Sequence, residues 1–106
     1  GNLLRDLGWI AQLARLEALS LADNLVAERA QLAHLGAAPR LRRLTLRGCP
    51  VEWQPFYASH VRLACPRLEM LDGRPALPRE TAARCVRFEA AMLALLVEDW
   101  RAVRAL

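Results

Sequence analysis

Two stretches of this chain overlay without a gap, and that recurrence restricts the fold more than any other feature. LEALSLADN (16–24) and LRRLTLRGC (41–49) both read L-x-x-L-x-L-x-x-N/C, so Leu16, Leu19, Leu21 and Asn24 correspond to Leu41, Leu44, Leu46 and Cys49, each 25 positions on. The L-x-L core of the pattern has the period of extended chain, which places both leucines on one side of a short strand. A fully buried Leu contributes roughly 2 kcal/mol. One such unit cannot bury its leucines alone, so repeats of this kind stack and share a continuous core. Leu19 and Leu21 are therefore expected to face inward, with Leu16 entering the same core from the preceding bend. Asn24 is expected to hydrogen-bond backbone groups of the neighbouring turn, and Cys49 takes its place one coil later.

The flanking segments extend the pattern. Counting from Asn2, apolar residues fall at Leu4, Leu7, Ile10, Leu13, Leu16, Leu19 and Leu21 before Asn24 closes a coil of 22 residues. The next coil is three residues longer, and AERAQLAHL (27–35) reads as a helical turn or two that Gly36 and Pro39 end. After Cys49-Pro50 come the aromatic pair Phe56-Tyr57, then Tyr57, Val61 and Ala64 at helical spacing. Pro66, Leu68, Leu71, Asp72 and Gly73 follow as P-x-L-x-x-L-D-G.

The 22-residue spacing resembles the short intracellular class of leucine-rich repeats, whose convex side is compact and often 3₁₀-like, and the segment after Cys49 resembles the C-terminal cap of that class. The resemblance implies an α/β fold: a leucine-rich-repeat solenoid, a right-handed α-β superhelix with C-terminal cap and trailing helix. It divides the chain into repeats over 1–49, a cap over 50–77 and a long helix over 78–106. The L-D-G motif is then structural, Leu68 and Leu71 supplying a last strand and Gly73 a tight turn. The same class includes the repeat-containing light chain of axonemal dynein, the regulatory subunit of type-one phosphatase and the spliceosomal A-prime subunit. It implies a non-catalytic scaffold for a protein partner within a larger assembly, first of all a cytoplasmic, ciliary or axonemal one. The alternatives are an RNA-associated adaptor of the A-prime type and a phosphatase regulatory subunit.

Two surfaces are candidates for the partner. One is the row of non-leucine strand positions: Glu17 and Ser20, then Arg42, Arg43, Thr45 and Arg47, then Glu69 and Met70. Arginines flanked by strands carrying acids can form cross-strand ion pairs or present forked donors to a partner's carboxylates. The other surface is the last helix. Pro78 and Glu80 suit a helix start, no breaker follows to Leu106, and around Leu93 to Val97 apolar residues run almost all round. Either one side packs on the cap, or Leu93, Leu96, Trp100 and Val103 form a partner-binding face. Unless more protein packs there, Leu4, Leu7 and Ile10 are expected at an uncovered edge of the stack. A sequence opening on Gly1 without an initiator Met reads as a segment of a longer protein.

Composition narrows the rest. Lys plus Arg total 15 against 11 acids, all of the basic residues being Arg. They are spread from Arg5 to Arg104 rather than gathered, which makes a nucleic-acid surface a poor fit. Three cysteines without a CxxC pair point to reduced thiols, and His34 and His60 lack a metal-ligand set nearby. The longest apolar run, 90–97, is far below the ~20 residues that span a bilayer. No nucleophile–base spacing or phosphate loop is visible. Neither a cofactor nor a homo-oligomer is implied.

Overall fold

The computed structural model describes the backbone of residues 3–105 and the side chains of residues 3–101. Both L-x-L segments form strands, β1 (Ala18–Ser20) and β2 (Arg43–Thr45), paired in parallel with Leu19 opposite Leu44. The L-D-G segment adds β3 (Met70–Leu71), parallel to β2, and the chain then doubles back into β4 (Arg74–Pro75), antiparallel to β3. The resulting sheet has the order β1-β2-β3-β4. The β4 return strand was not anticipated from the sequence. It follows from two successive left-handed residues, Asp72 and Gly73 with φ of 53° and 80°, which reverse the chain in one tight turn.

Opposite the sheet, each coil returns through 3₁₀ segments: Gly8–Gln12, Arg29–Ala37 and Pro50–Trp53. The helical turn expected over 27–35 is thus a 3₁₀ segment that starts later and runs through Gly36, ending at Ala37 before Pro39. Between the two layers Leu7, Ile10, Leu21, Val26, Leu35, Leu41, Leu44 and Leu46 are all at most 2% exposed. Leu16 and Leu19 pack against this core but stay half-buried, β1 being the edge strand of the sheet among the described residues.

Leu4, Leu7 and Ile10 do not form one open edge. Leu7 and Ile10 are fully buried, since Arg29–Ala37 lies against Gly8–Gln12 and Gln31 Oε1 accepts the Leu7 N–H at 2.8 Å. The exposed leucines of this first coil are Leu3, Leu4 and Leu13. Asn2, expected to mirror Asn24, lies outside the described residues.

The corner positions do form the expected hydrogen-bonded stack. Asn24 Oδ1 accepts the Leu4 N–H at 3.2 Å while its amide donates to the Leu21 carbonyl at 3.0 Å. Cys49 donates its thiol to that same Leu21 carbonyl at 3.0 Å, and Asp72 Oδ1 accepts the Leu46 N–H at 2.7 Å. Asp72 thus also ties its coil to the previous one, from one residue after Leu71 rather than from the Asn24 position, with an additional anchor from the Tyr57 hydroxyl at 2.9 Å. Helix α1 (Tyr57–Ala64) covers the end of the core through Val61, entered from Phe56 in a left-handed conformation.

Helix α2 (Arg79–Ala105) has 27 residues, about 40 Å at 1.5 Å per residue. Its first half packs on α1, burying Ala82 and Glu89. An arginine fork fixes it there: Arg29 Nη1 and Nη2 donate to the two Glu89 oxygens at 3.0 and 3.1 Å, and His60 Nε2 lies 2.7 Å from Glu89 Oε1. Phe56 meets Phe88 edge-on at 6.2 Å. From Ala90 to Arg101 every residue is exposed, so the packing reading of this helix holds only for its first half.

Candidate interaction surfaces

The sheet register sorts the outward strand positions into rows. Ala18, Arg43 and Met70 stand in one row and Ser20 and Thr45 in the next, because parallel pairing aligns equal positions of successive coils. A shallow recess of about 470 Å³ runs across these rows, lined by Ser20, Arg43, Thr45, Met70 and Gly73 over the backs of Leu19 and Leu44. Four of the expected surface residues are thereby brought together.

The others go elsewhere. Arg42 pairs with Glu69 at 3.6 Å, the cross-strand ion pair, but both side chains are over 60% exposed and such a pair is worth under ~1 kcal/mol. Glu17 is exposed, and its carbonyl receives the N–H groups of Arg42 and Arg43 at the head of the strands. Arg47 leaves the row: its Nη2 donates to the Asp72 carbonyl at 2.6 Å and its head sits over the Asp72–Gly73 turn.

On α2, Leu93, Leu96 and Trp100 are 55%, 58% and 61% exposed, and Met92, Leu95 and Val97 extend the apolar area around them. Successive spacings of four, three and four from Glu89 keep Leu93, Leu96 and Trp100 on the side of the helix that faces α1 farther back. The docking stripe thus continues past the end of what it docks on. Val103 falls within α2, but its side chain is outside the described residues.

A second recess, of about 700 Å³, lies at the foot of the cap between Trp53, Tyr57, Leu71, Ala76 and Leu77, with Arg47 and Arg74 at its rim. Sequence reasoning did not single out Trp53 or Arg74. Nothing in the local pattern marks Trp53 as exposed, whereas Arg74 could have been flagged from its position after the D-G turn. The Arg29–Glu89–His60 cluster was also missed, since Arg29 and His60 lie 60 and 29 positions from Glu89.

Burial first, and then the Asp72 carboxylate, push the Tyr57 phenol well above its ordinary range. Glu89 is held below the usual carboxylate range by the hydrogen bond with His60 first and then by Arg29. Burial pushes the Cys65 thiol up. Among the described residues no group of three His, Cys, Asp or Glu side chains could hold a metal ion, and no helix is long and apolar enough to cross a membrane.

Parallel strands from a repeated L-x-x-L-x-L-x-x-N/C unit, 3₁₀ returns and a capped last coil define a leucine-rich-repeat protein of the short type, and comparison with known proteins agrees. Over 122 residues the chain is 32% identical to human leucine-rich repeat-containing protein 56, matching 97% of this chain and 20% of that protein. It is 38% identical over 65 residues to leucine-rich repeat-containing protein 23 of Xenopus tropicalis, matching 61% of this chain and 19% of the relative. The chain thus spans about a fifth of the length of the curated relatives it matches. No family model matches it. Among solved structures it resembles a chain of the Drosophila melanogaster SNF/U2A′ complex, with a TM-score of 0.66 at 25% identity, covering 73% of this chain and 45% of that one. It also resembles the Mex67 leucine-rich-repeat domain of Chaetomium thermophilum, with a TM-score of 0.62 at 29% identity, covering 76% and 56%.

Proposed function

We propose that this chain is a non-catalytic scaffold: the capped end of a right-handed solenoid that holds a protein partner within a larger assembly. The observation that carries the reading is the exposed half of α2. An ordered helix that presents Met92, Leu93, Leu95, Leu96, Val97 and Trp100 to water is costly unless another protein covers it. The sheet-face recess around Arg43 and Met70 is the second contact area, where a guanidinium beside apolar ground suits a partner's carboxylate. Solved relatives in complexes, SNF/U2A′ and Mex67:Mtr2, support a protein partner. The assembly we favour is cytoskeletal, in the cytoplasm and specifically at the cilium or axoneme, on the resemblance of the repeat and cap to axonemal repeat proteins. The U2A′ likeness supports an RNA-associated adaptor as the second reading.

Isolation of the tagged chain from ciliated-cell extract, compared with Leu96→Glu and Arg43→Glu variants, tests this. The expected result is a defined protein that is retained after nuclease treatment and lost with Leu96→Glu. Association that disappears with nuclease and falls steeply with salt supports the adaptor instead and overturns the scaffold reading.

A further inference from the structure

The cap recess shares no lining residue with the sheet-face recess or with the exposed half of α2, although the Asp72–Gly73 turn borders both recesses. Trp53 is 82% exposed, yet it stands on the ordered Pro50–Trp53 turn whose Val51 is fully buried. The turn fixes where the indole is attached, so Trp53 offers a partner a large apolar contact with only two side-chain torsions left to order. Leu71 and Leu77 line the recess beside it.

The charges around the recess are unequal in availability. Asp72 turns its carboxylate inward, one oxygen taken by the Leu46 N–H and the other by the Tyr57 hydroxyl. These neutral donors leave the Asp72 charge in place but occupy both its oxygens, whereas Arg47 gives one N–H to a carbonyl and its side chain stays exposed. Arg74 projects from the same turn and is exposed. Glu52, half-buried, is the other acid at the recess and precedes Trp53 in the chain. The adjoining sheet edge is β4, where Pro75 offers no N–H, so an added strand finds poor pairing there and an occupant must enter by its side chains.

We propose that this recess receives a bulky apolar side chain flanked by carboxylates, from an acidic segment of a protein partner. The apolar group packs between Trp53 and Leu71, and the carboxylates meet Arg47 and Arg74. The inference rests on the scaffold reading and adds a partner chemistry at a second place on the same chain.

The test is a titration of the purified, ¹⁵N-labelled chain followed at the Trp53 indole N–H signal, assigned by its loss in Trp53→Phe. The probes are the blocked peptides Glu-Glu-Phe-Glu-Glu, Lys-Lys-Phe-Lys-Lys and Glu-Glu-Ala-Glu-Glu, and tetrauridylate. The acidic phenylalanine peptide is expected to shift the signal saturably, with a Kd below about 1 mM. The Arg47→Ala/Arg74→Ala pair should weaken it about tenfold or more. Arg47→Lys, which keeps the charge and a donor to Asp72, should stay close to the unaltered chain, and undisturbed backbone amide signals confirm that each variant is folded. A shift of equal size with the lysine or alanine peptide, preferential binding of tetrauridylate, or no saturable shift overturns the proposal. Loss of the native partner in Leu96→Glu, with no peptide response at Trp53, would sink the recess and leave the scaffold reading intact.

Discussion

Asp72 shows how one side chain can close a repeat stack. Its two oxygens take a backbone N–H from the previous coil and the phenol of the cap helix, so an alanine there leaves a part-buried N–H and a part-buried hydroxyl without these acceptors. Asp72→Ala should cost about 1–3 kcal/mol, read as a lower urea midpoint at unchanged slope. Tyr57 reports on the same contact, and it is the only tyrosine in the chain. Its phenol is pushed upward in the folded state, so the folded chain keeps a proton that the unfolded chain releases near pH ~10. The stabilisation is therefore complete below that range and is lost progressively as pH rises from there through the higher folded value. Tyrosinate absorbance should appear only together with unfolding; ionisation of a folded chain near the ordinary value would contradict the contact. Gly48 is the third such residue: at φ 80°, a Cβ there would strike the Asp23 carboxylate. Gly48→Ala should accordingly lose more than about 1 kcal/mol in the same urea measurement.

At the scale of elements, α2 is one helix with two different supports. The half up to Glu89 is held by the Arg29 fork, His60 and the Phe56–Phe88 contact, whereas from Ala90 to Arg101 every residue is exposed. Native-state hydrogen exchange should find amides of 82–89 protected close to the global unfolding free energy and those of 92–101 exchanging much faster. Equal protection along the helix would mean that the exposed half is already covered, for instance by a second copy. The Glu89 carboxyl is depressed in the folded state, so its contribution is present above the unfolded carboxylate range and disappears as pH falls through the folded value. Glu89→Gln should remove that acid dependence and loosen α2 while the sheet stays intact, which circular dichroism and amide signals can separate.

Across the whole molecule the sheet and the 3₁₀ returns enclose one core, which α1 covers at one end. Cys49 and Cys65 sit inside it at 0% and 2% exposure, while Cys85 is half-buried on α2. A thiol reagent should therefore modify Cys85 in the native chain and reach the other two only on unfolding. Burial, which also raises the Cys65 thiol, works in the same direction.

Much of this architecture is written in spacing. The 25-residue recurrence determined the two parallel strands, their register and the inward leucines, because a period-two apolar pair at a fixed offset has one economical way to be buried. The corner role of Asn24 and the D-G turn were legible for the same local reason. Tertiary structure alone decided what local pattern cannot encode. It folded the chain back into β4, covered Leu7 and Ile10 with the next coil, and joined Arg29, His60 and Glu89 from three distant segments. It also ended the support of α2 at Glu89. A helical stripe that is buried and its continuation that is exposed look identical in sequence, since the period of 3.6 says which side is apolar and not what lies against it. Whether Leu93, Leu96 and Trp100 meet a core or water depends on where α1 stops, and only the folded chain fixes that.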